Sequence, residues 1–197
     1  MALTPSSADT ALDISSRALI LIGAEPISSF DDGTTEALVC VNLYEDVVQS
    51  ALVNTRWRFA TNQKVLNQLS DEPTGRYDLA YQLPSDLIML HAITVNDNLV
   101  DYQLYGDKVY ADTATSDTVI ADYTFRANEE DFPSYFTIAV EFSLAVILAT
   151  SIARDPALAS LMTQRADAAM AKARSIDSQQ QTTRKLETTR FLSFRRS

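Results

Sequence analysis

Few side chains in this sequence could carry out chemistry, and their spacing does not favour it. There is one histidine, His91, and one cysteine, Cys40. A Ser/His/Asp or Cys/His mechanism would have to use His91. That residue lies in the mostly apolar run Leu87 to Val95, and no Gly-x-Ser-x-Gly turn occurs anywhere. The pattern predicts a partly buried strand histidine, and Cys40, set in an apolar helical pattern, reads as a buried inert thiol. Zinc needs three or four Cys or His ligands, and these two are far apart in sequence. No Gly-x-x-x-x-Gly-Lys or Gly-x-Gly-x-x-Gly segment is present to cradle a phosphate. Carboxylates remain, at Asp31-Asp32, Asp71-Glu72 and Glu129-Glu130-Asp131. Such groups can hold a divalent ion or share acid and base work. All three sit at expected turns or helix starts, where acids cap backbone N–H groups and complement the helix dipole. The expectation is therefore no catalytic, cofactor-binding or metal-binding residue.

Charge separates the chain into two parts. The net charge is −10, yet residues 181–197 carry Arg184, Lys185, Arg190, Arg195 and Arg196 against Glu187, a surplus of four cations that leaves −14 on the rest. An acidic body does not bind nucleic acid by neutralising phosphates, although it can face DNA without adhering. Between Tyr77 and Phe125 the aromatic residues share the sequence with one cation, Lys108, which disfavours base stacking on a basic sheet. The basic tail, with Phe191 and Phe194 among its cations, reads as a docking segment for an acidic surface. The N-terminus shows no basic region before an apolar run, so no secretory signal is read. The apolar stretch Phe136 to Ile152 is interrupted by Glu141 and is short for a bilayer span.

These residues must be held by elements that hydrophobic periodicity defines. A first helix is expected from about Ser7 to Ile22, with Ser6 as N-cap and Asp9 three residues on; Gly23 ends it and Pro26 prevents its continuation. A second helix is expected from about Thr34 to Thr55, with its apolar stripe through Ala37, Cys40 or Val41, Tyr44, Val47 or Val48, and Ala51 or Leu52. From Trp57 the period changes to two, as Trp57 and Phe59 alternate with Arg56 and Arg58. Asn96-Asp97-Asn98 and Gly106-Asp107 are hairpin signals, so a four- or five-stranded antiparallel meander is predicted up to Phe125. Pro133 suits the first turn of a third helix that is apolar nearly all round, hence central. Asp155-Pro156 opens a fourth, which places Leu158, Leu161 or Met162, Ala169, Ala173 and Ile176 inward.

The fold class expected is α+β: a helical bundle of about four helices with an inserted antiparallel β-sheet domain and an extended C-terminal tail. The divisions are residues 1–56 for the N-terminal helices, 57–127 for the β domain, 128–180 for the C-terminal helices and 181–197 for the basic tail.

Leu21-Ile-Gly-Ala-Glu-Pro-Ile-Ser-Ser-Phe-Asp-Asp-Gly33, a helix containing Val41-Asn42-Leu43-Tyr44, and Arg56-Trp57-Arg58-Phe59-Ala60 together form a pattern. It resembles the tail tubular protein A family, the head-to-tail adaptor or gatekeeper-ring proteins of tailed bacteriophages. The resemblance runs over residues 8 to 178. Its most specific part is the Gly23-x-x-Pro26 turn joined at this spacing to Trp57-x-Phe59-Ala60. It implies a structural virion protein at the phage neck, assembled in the host cytoplasm. The family forms a ring of about twelve copies under the portal, with a tail nozzle or tail-completion protein below and double-stranded DNA passing through the lumen without specific binding. It implies no catalytic residues and no cofactor. Gly23, Pro26, Trp57 and Phe59 are then structural. The docking tail (Arg184, Lys185, Arg190, Phe191, Phe194, Arg195 and Arg196) departs from the pattern.

A ring subunit needs two lateral faces beyond its own core, and an acidic lumen would let DNA slide. Two other readings stand beside this one. One is an α+β protein-binding module with no virion role. The other is an enzyme built on acidic pairs such as those at Asp31 or Glu130.

Overall fold

The computed structural model describes residues 10–70, 73 and 75–180. Its helices are α1 (Ala11–Leu21), α2 (Thr35–Val53), α3 (Ser134–Ser151) and α4 (Pro156–Gln179). Between α2 and α3 come eight strands: β1 (Thr61–Val65), β2 (Asn67–Gln68), β3 (Leu79–Gln82), β4 (Leu87–Val95), β5 (Asn98–Leu99), β6 (Tyr102–Tyr105), β7 (Lys108–Ala111) and β8 (Val119–Phe125). The class is α+β, a four-helix assembly with an antiparallel β insertion.

Each helix boundary has a local cause. Thr10 is extended and its hydroxyl accepts the Asp13 N–H at 3.1 Å, so α1 starts at Ala11. The expected start near Ser7 is too early; the Ser6 and Asp9 cap lies outside the described residues. At the other end the Ala24 N–H donates to the Leu19 carbonyl and the Gly23 N–H to that of Ile20, both at 3.0 Å. This double closure is a Schellman motif, and it holds Gly23 at φ +77°. A side chain there would meet no neighbour but would strain the backbone. Gly23→Ala is expected to cost about 1 kcal/mol, read as a lower urea midpoint with an unchanged m value. Thr34 caps α2 through the Ala37 N–H. The Asp155 side chain accepts from the N–H groups of Ala157 and Leu158, with Pro156 opening α4. Pro133 is the N-cap of α3, one position before the first-turn place that the sequence suggests, because its ψ of 145° is extended.

α3 touches α1, α2 and α4 and lies most extensively along α4. Phe136, Ala139, Val140, Leu144, Ala145, Leu148 and Ala149 of α3 are buried, so a helix apolar all round takes the centre. By length and composition it would also cross a membrane, but half of it is buried inside the protein. On α4, Met162, Ala166, Ala173 and Asp177 face inward. Leu161, an inward candidate, is 44% exposed.

The strands do not form one meander. They make two four-stranded antiparallel sheets, ordered β1-β8-β4-β5 and β2-β3-β7-β6. β8 returns to lie between β1 and β4, which places Ala121 opposite both Lys64 and Ile93. A second, smaller core of Leu66, Tyr81, Leu83, Ile93, Val109, Val119 and Ala121 belongs to the sheets alone. The two hairpin turns sit as expected: Asn96 and Asp97 have φ of 50° and 63° between β4 and β5, and Gly106 has φ of 63° between β6 and β7. Val65 to Asn67 runs from one sheet to the other without a turn, and that step escapes a turn-counting reading.

Candidate functional site: interaction surfaces

The four residues at the centre of the resemblance all serve the helical core, at its two ends. The Gly23 to Pro26 turn lies beside Ile152 and Ala153, past the C-terminal end of α3. Ile27 is buried there, and its carbonyl accepts the Ser16 hydroxyl at 2.8 Å. Trp57 lies at the N-terminal end of α3. It is fully buried, T-shaped to Phe136 at 5.1 Å and stacked on Tyr135 at 6.5 Å. Its indole N–H donates to the Ala51 carbonyl at 2.8 Å, a second donor beside the Asn54 N–H at 3.3 Å in the last turn of α2. Phe59 packs on Phe136 at 4.9 Å and Phe132 at 6.0 Å. The strand expected from Trp57 does not form: β1 begins at Thr61, and Trp57 and Phe59 both turn toward the helical core. α3 spans about 27 Å at 1.5 Å per residue, so the two halves of the motif lie near opposite ends of one helix.

A polar node adjoins Trp57. The buried carboxylate of Asp177, near the end of α4, accepts the Arg58 backbone N–H at 3.3 Å and the Tyr135 hydroxyl at 3.0 Å. In return Arg58 Nε donates to the Asp177 carbonyl at 3.0 Å. Burial, then the Asp177 carboxylate, push the Tyr135 phenol up to about 12. Gln180 also reaches the Tyr135 hydroxyl, at 3.4 Å. Sequence reasoning missed this node, because a lone Asp in an alanine-rich helix carries no signal until Arg58 and Tyr135 are brought to it. The tail that begins after it, including Arg184, Lys185, Arg190, Phe191, Phe194, Arg195 and Arg196, lies outside the described residues.

The acidic groups do not converge. Asp32 accepts the Ser28 and Ser29 N–H groups at 2.9 and 3.0 Å, and the hydrogen bond from Ser28 is the main reason its carboxyl sits below the usual range. That turn adjoins the C-terminal end of α3, whereas Glu129–Asp131 forms a 3-10 turn just before its N-terminal end. Asp71 and Glu72 lie outside the described residues. Glu129 meets Arg126 at 2.6 Å, and Arg126 reaches Glu45 of α2 at 2.9 Å, tying α2 to the segment after β8. The hydrogen bond from Arg126 holds the Glu45 carboxyl below its ordinary value. Among the described residues no three His, Cys, Asp or Glu gather as a metal set. The His91 Nε2 bonds the Thr124 hydroxyl at 2.7 Å, and burial lowers the ring's pKa. Cys40 is fully buried, which pushes its thiol up to about 11.

Glu141 is a buried acid at the centre of α3, 3.5 Å from Arg17 of α1. Burial raises its carboxyl above the ordinary value, with Arg17 opposing. The folded state thus solvates the Glu141 carboxylate less well than the unfolded chain does. That penalty fades as pH falls through the raised pKa, because the folded state takes up the proton before the unfolded chain does. Glu141→Gln is expected to raise stability near neutrality by up to about 1 kcal/mol. The gain should shrink toward acid in urea unfolding curves between about pH 4 and 8.

Two exposed apolar faces also stand out on the helices. A groove of about 650 Å³ runs between α3 and α4, lined by Ile138, Phe142, Ala169, Ala173 and Ile176 with Arg165 and Lys172 at its edge. On α2, Leu38 and Val41 stand out at 62% and 51% exposure. The groove and the α2 row share no residue. The sequence matches no protein-family model, and a search of curated proteins returns no significant match.

Proposed function

We propose that this chain is a structural head-to-tail adaptor of a tailed phage. In this reading it forms a ring of about twelve copies under a portal, continues the DNA channel and receives the next tail component. The observation that carries the reading is the pair of separate, unpartnered apolar faces on the helices. A ring built by a heterologous contact needs two such faces on every copy, and a monomer needs neither. Three further points support it. Of the residues that resemble the family, Trp57 and Phe59 pack on α3 and Gly23 ends α1, all structural uses. Asp32 and Asp155 serve as turn and helix caps, and Arg126, Glu45 and Glu129 form an ion-pair set. The chain is acidic at −10 overall, which suits a channel wall that DNA slides past.

The test is negative-stain microscopy and light scattering of the full chain, alone and co-expressed with the portal protein of the same genome. Annular particles, free or on the portal, are the expected result. A chain that forms no ring even with its portal, or one that turns over a metabolite, ends the reading. Deleting residues 181–197 is expected to abolish portal docking while leaving the fold intact by circular dichroism. The alternative, a protein-binding module, draws on the same α3–α4 groove and requires a stable monomer or dimer.

A further inference from the structure

The inference here rests on the ring reading and identifies the surface through which one copy grips the next. The α3–α4 groove has an apolar floor, with Ile138 left 46% exposed. Leu161, 44% exposed, precedes Arg165 by one turn and extends the same face of α4. Arg165 and Lys172 border the groove seven residues apart on that face, and neither has an ion-pair partner among the described residues. Two unpaired cations beside an apolar trough, in a strongly acidic protein, select an acidic apolar occupant. The basic tail is a poor match, since its cations would face like charge.

The outward row of α2 has the complementary chemistry. Leu38, Val41 and Glu45 follow the i, i+3, i+7 spacing by which one helix face enters a groove; Glu45 pairs with Arg126 of its own chain and stays half exposed. Leu38 and Val41 are exposed, and Asp46, also exposed, borders the row on its solvent side. The row is about 10 Å long and the α4 wall from Arg165 to Ile176 about 16 Å, so the ridge fits the trough lengthwise. We propose that the α3–α4 groove of one copy receives the Leu38–Val41 ridge of the next copy's α2, with Arg165 and Lys172 facing that helix's carboxylates. Because ridge and groove are different surfaces, the contact is heterologous and repeats from copy to copy.

The test uses full-length chains with Leu38→Cys or Ile138→Cys; native Cys40 is fully buried and gives little background. Mixing the two variants with a short bis-maleimide is expected to give a cross-linked pair, while neither variant links alone. A chain carrying both substitutions should give a ladder. Leu99→Cys, on an exposed hairpin, replaces Leu38→Cys in the control mixture and should stay unlinked to Ile138→Cys. Reversing Arg165 and Lys172 to glutamate should weaken association at least about tenfold at low salt in sedimentation velocity. Four results overturn the proposal: no mixed link above control, self-linking of Leu38→Cys, unchanged association of the reversed variant, or linking of Ile138→Cys to a cysteine placed at Leu186 of its own chain. Rings without the mixed link would sink this interface and leave the adaptor reading standing. A ladder that ends in open filaments would support the interface and sink the ring.

Discussion

Replacing Trp57 with alanine is expected to lower the stability of the helical core by about 4 kcal/mol, the largest single effect in the molecule. The side chain is fully buried and sits among Tyr135, Phe136 and Phe59 with ring separations of 6.5, 5.1 and 6.1 Å. Truncation removes its buried apolar area and opens a cavity that rigid helix ends collapse into only partly. It also strips the Ala51 carbonyl of its 2.8 Å partner at the end of α2. Trp57→Phe separates the two contributions. It keeps a ring against Phe136 and is expected to cost about half as much, through the smaller area and the lost hydrogen bond. Thermal and urea unfolding followed by far-ultraviolet circular dichroism read both variants. If Trp57→Ala costs less than about 1 kcal/mol, the clamp at the N-terminal end of α3 is not what holds the bundle.

Asp177→Ala is expected to cost about 2–3 kcal/mol. The substitution leaves the Arg58 N–H and the Tyr135 hydroxyl without the acceptor that meets them at 3.3 and 3.0 Å. Unlike the tryptophan change, its effect should be local. The last turns of α4 lose their tie to the segment after α2, so amide exchange should rise in residues 170–180 well before the rest of the bundle. Asp177→Asn keeps the shape and one acceptor oxygen and should recover about half of the loss. Under the adaptor reading, Asp177→Ala also weakens portal docking even where the fold survives, since Gln180, the residue before the basic tail, bonds Tyr135 of this node. Global rather than local exchange would show that Asp177 belongs to the main cooperative unit. Tyr135→Phe supplies the cross-check, because it removes one donor and leaves the Arg58 contacts in place.

Much of the architecture was legible along the chain because it depends on near neighbours. Gly23 followed by Pro26 stops α1 through bonds that reach only five residues back, and Asp155-Pro156 starts α4 in the same local way. Asn96-Asp97 demands positive φ, which only a hairpin turn accommodates cheaply. The all-round apolar pattern of residues 136–149 leaves α3 no place but the centre. The errors arise where one local pattern suits two structures. Alternation at Arg56-Trp57-Arg58-Phe59 fits a strand, but both aromatic rings gain more by entering the helical core than a two-faced strand would bury. The turn count gave four or five strands where eight short ones form, and it says nothing of their partners, so the insertion of β8 between β1 and β4 was invisible.

The sequence alone determined what depends on composition and near-neighbour geometry: the α+β class, two helices on each side of the strands, the Gly23 stop and the Asp155 cap, and the scarcity of residues suited to catalysis. Only the tertiary structure decided what depends on contacts between distant segments. It turned Trp57 and Phe59 inward, split the strands into two sheets, brought Asp177 to Arg58 across 119 positions, and left an apolar groove bordered by Arg165 and Lys172. The physical reason is that periodicity tells which side of an element is apolar, whereas the identity of what covers that side is a competition among all the faces in the folded chain.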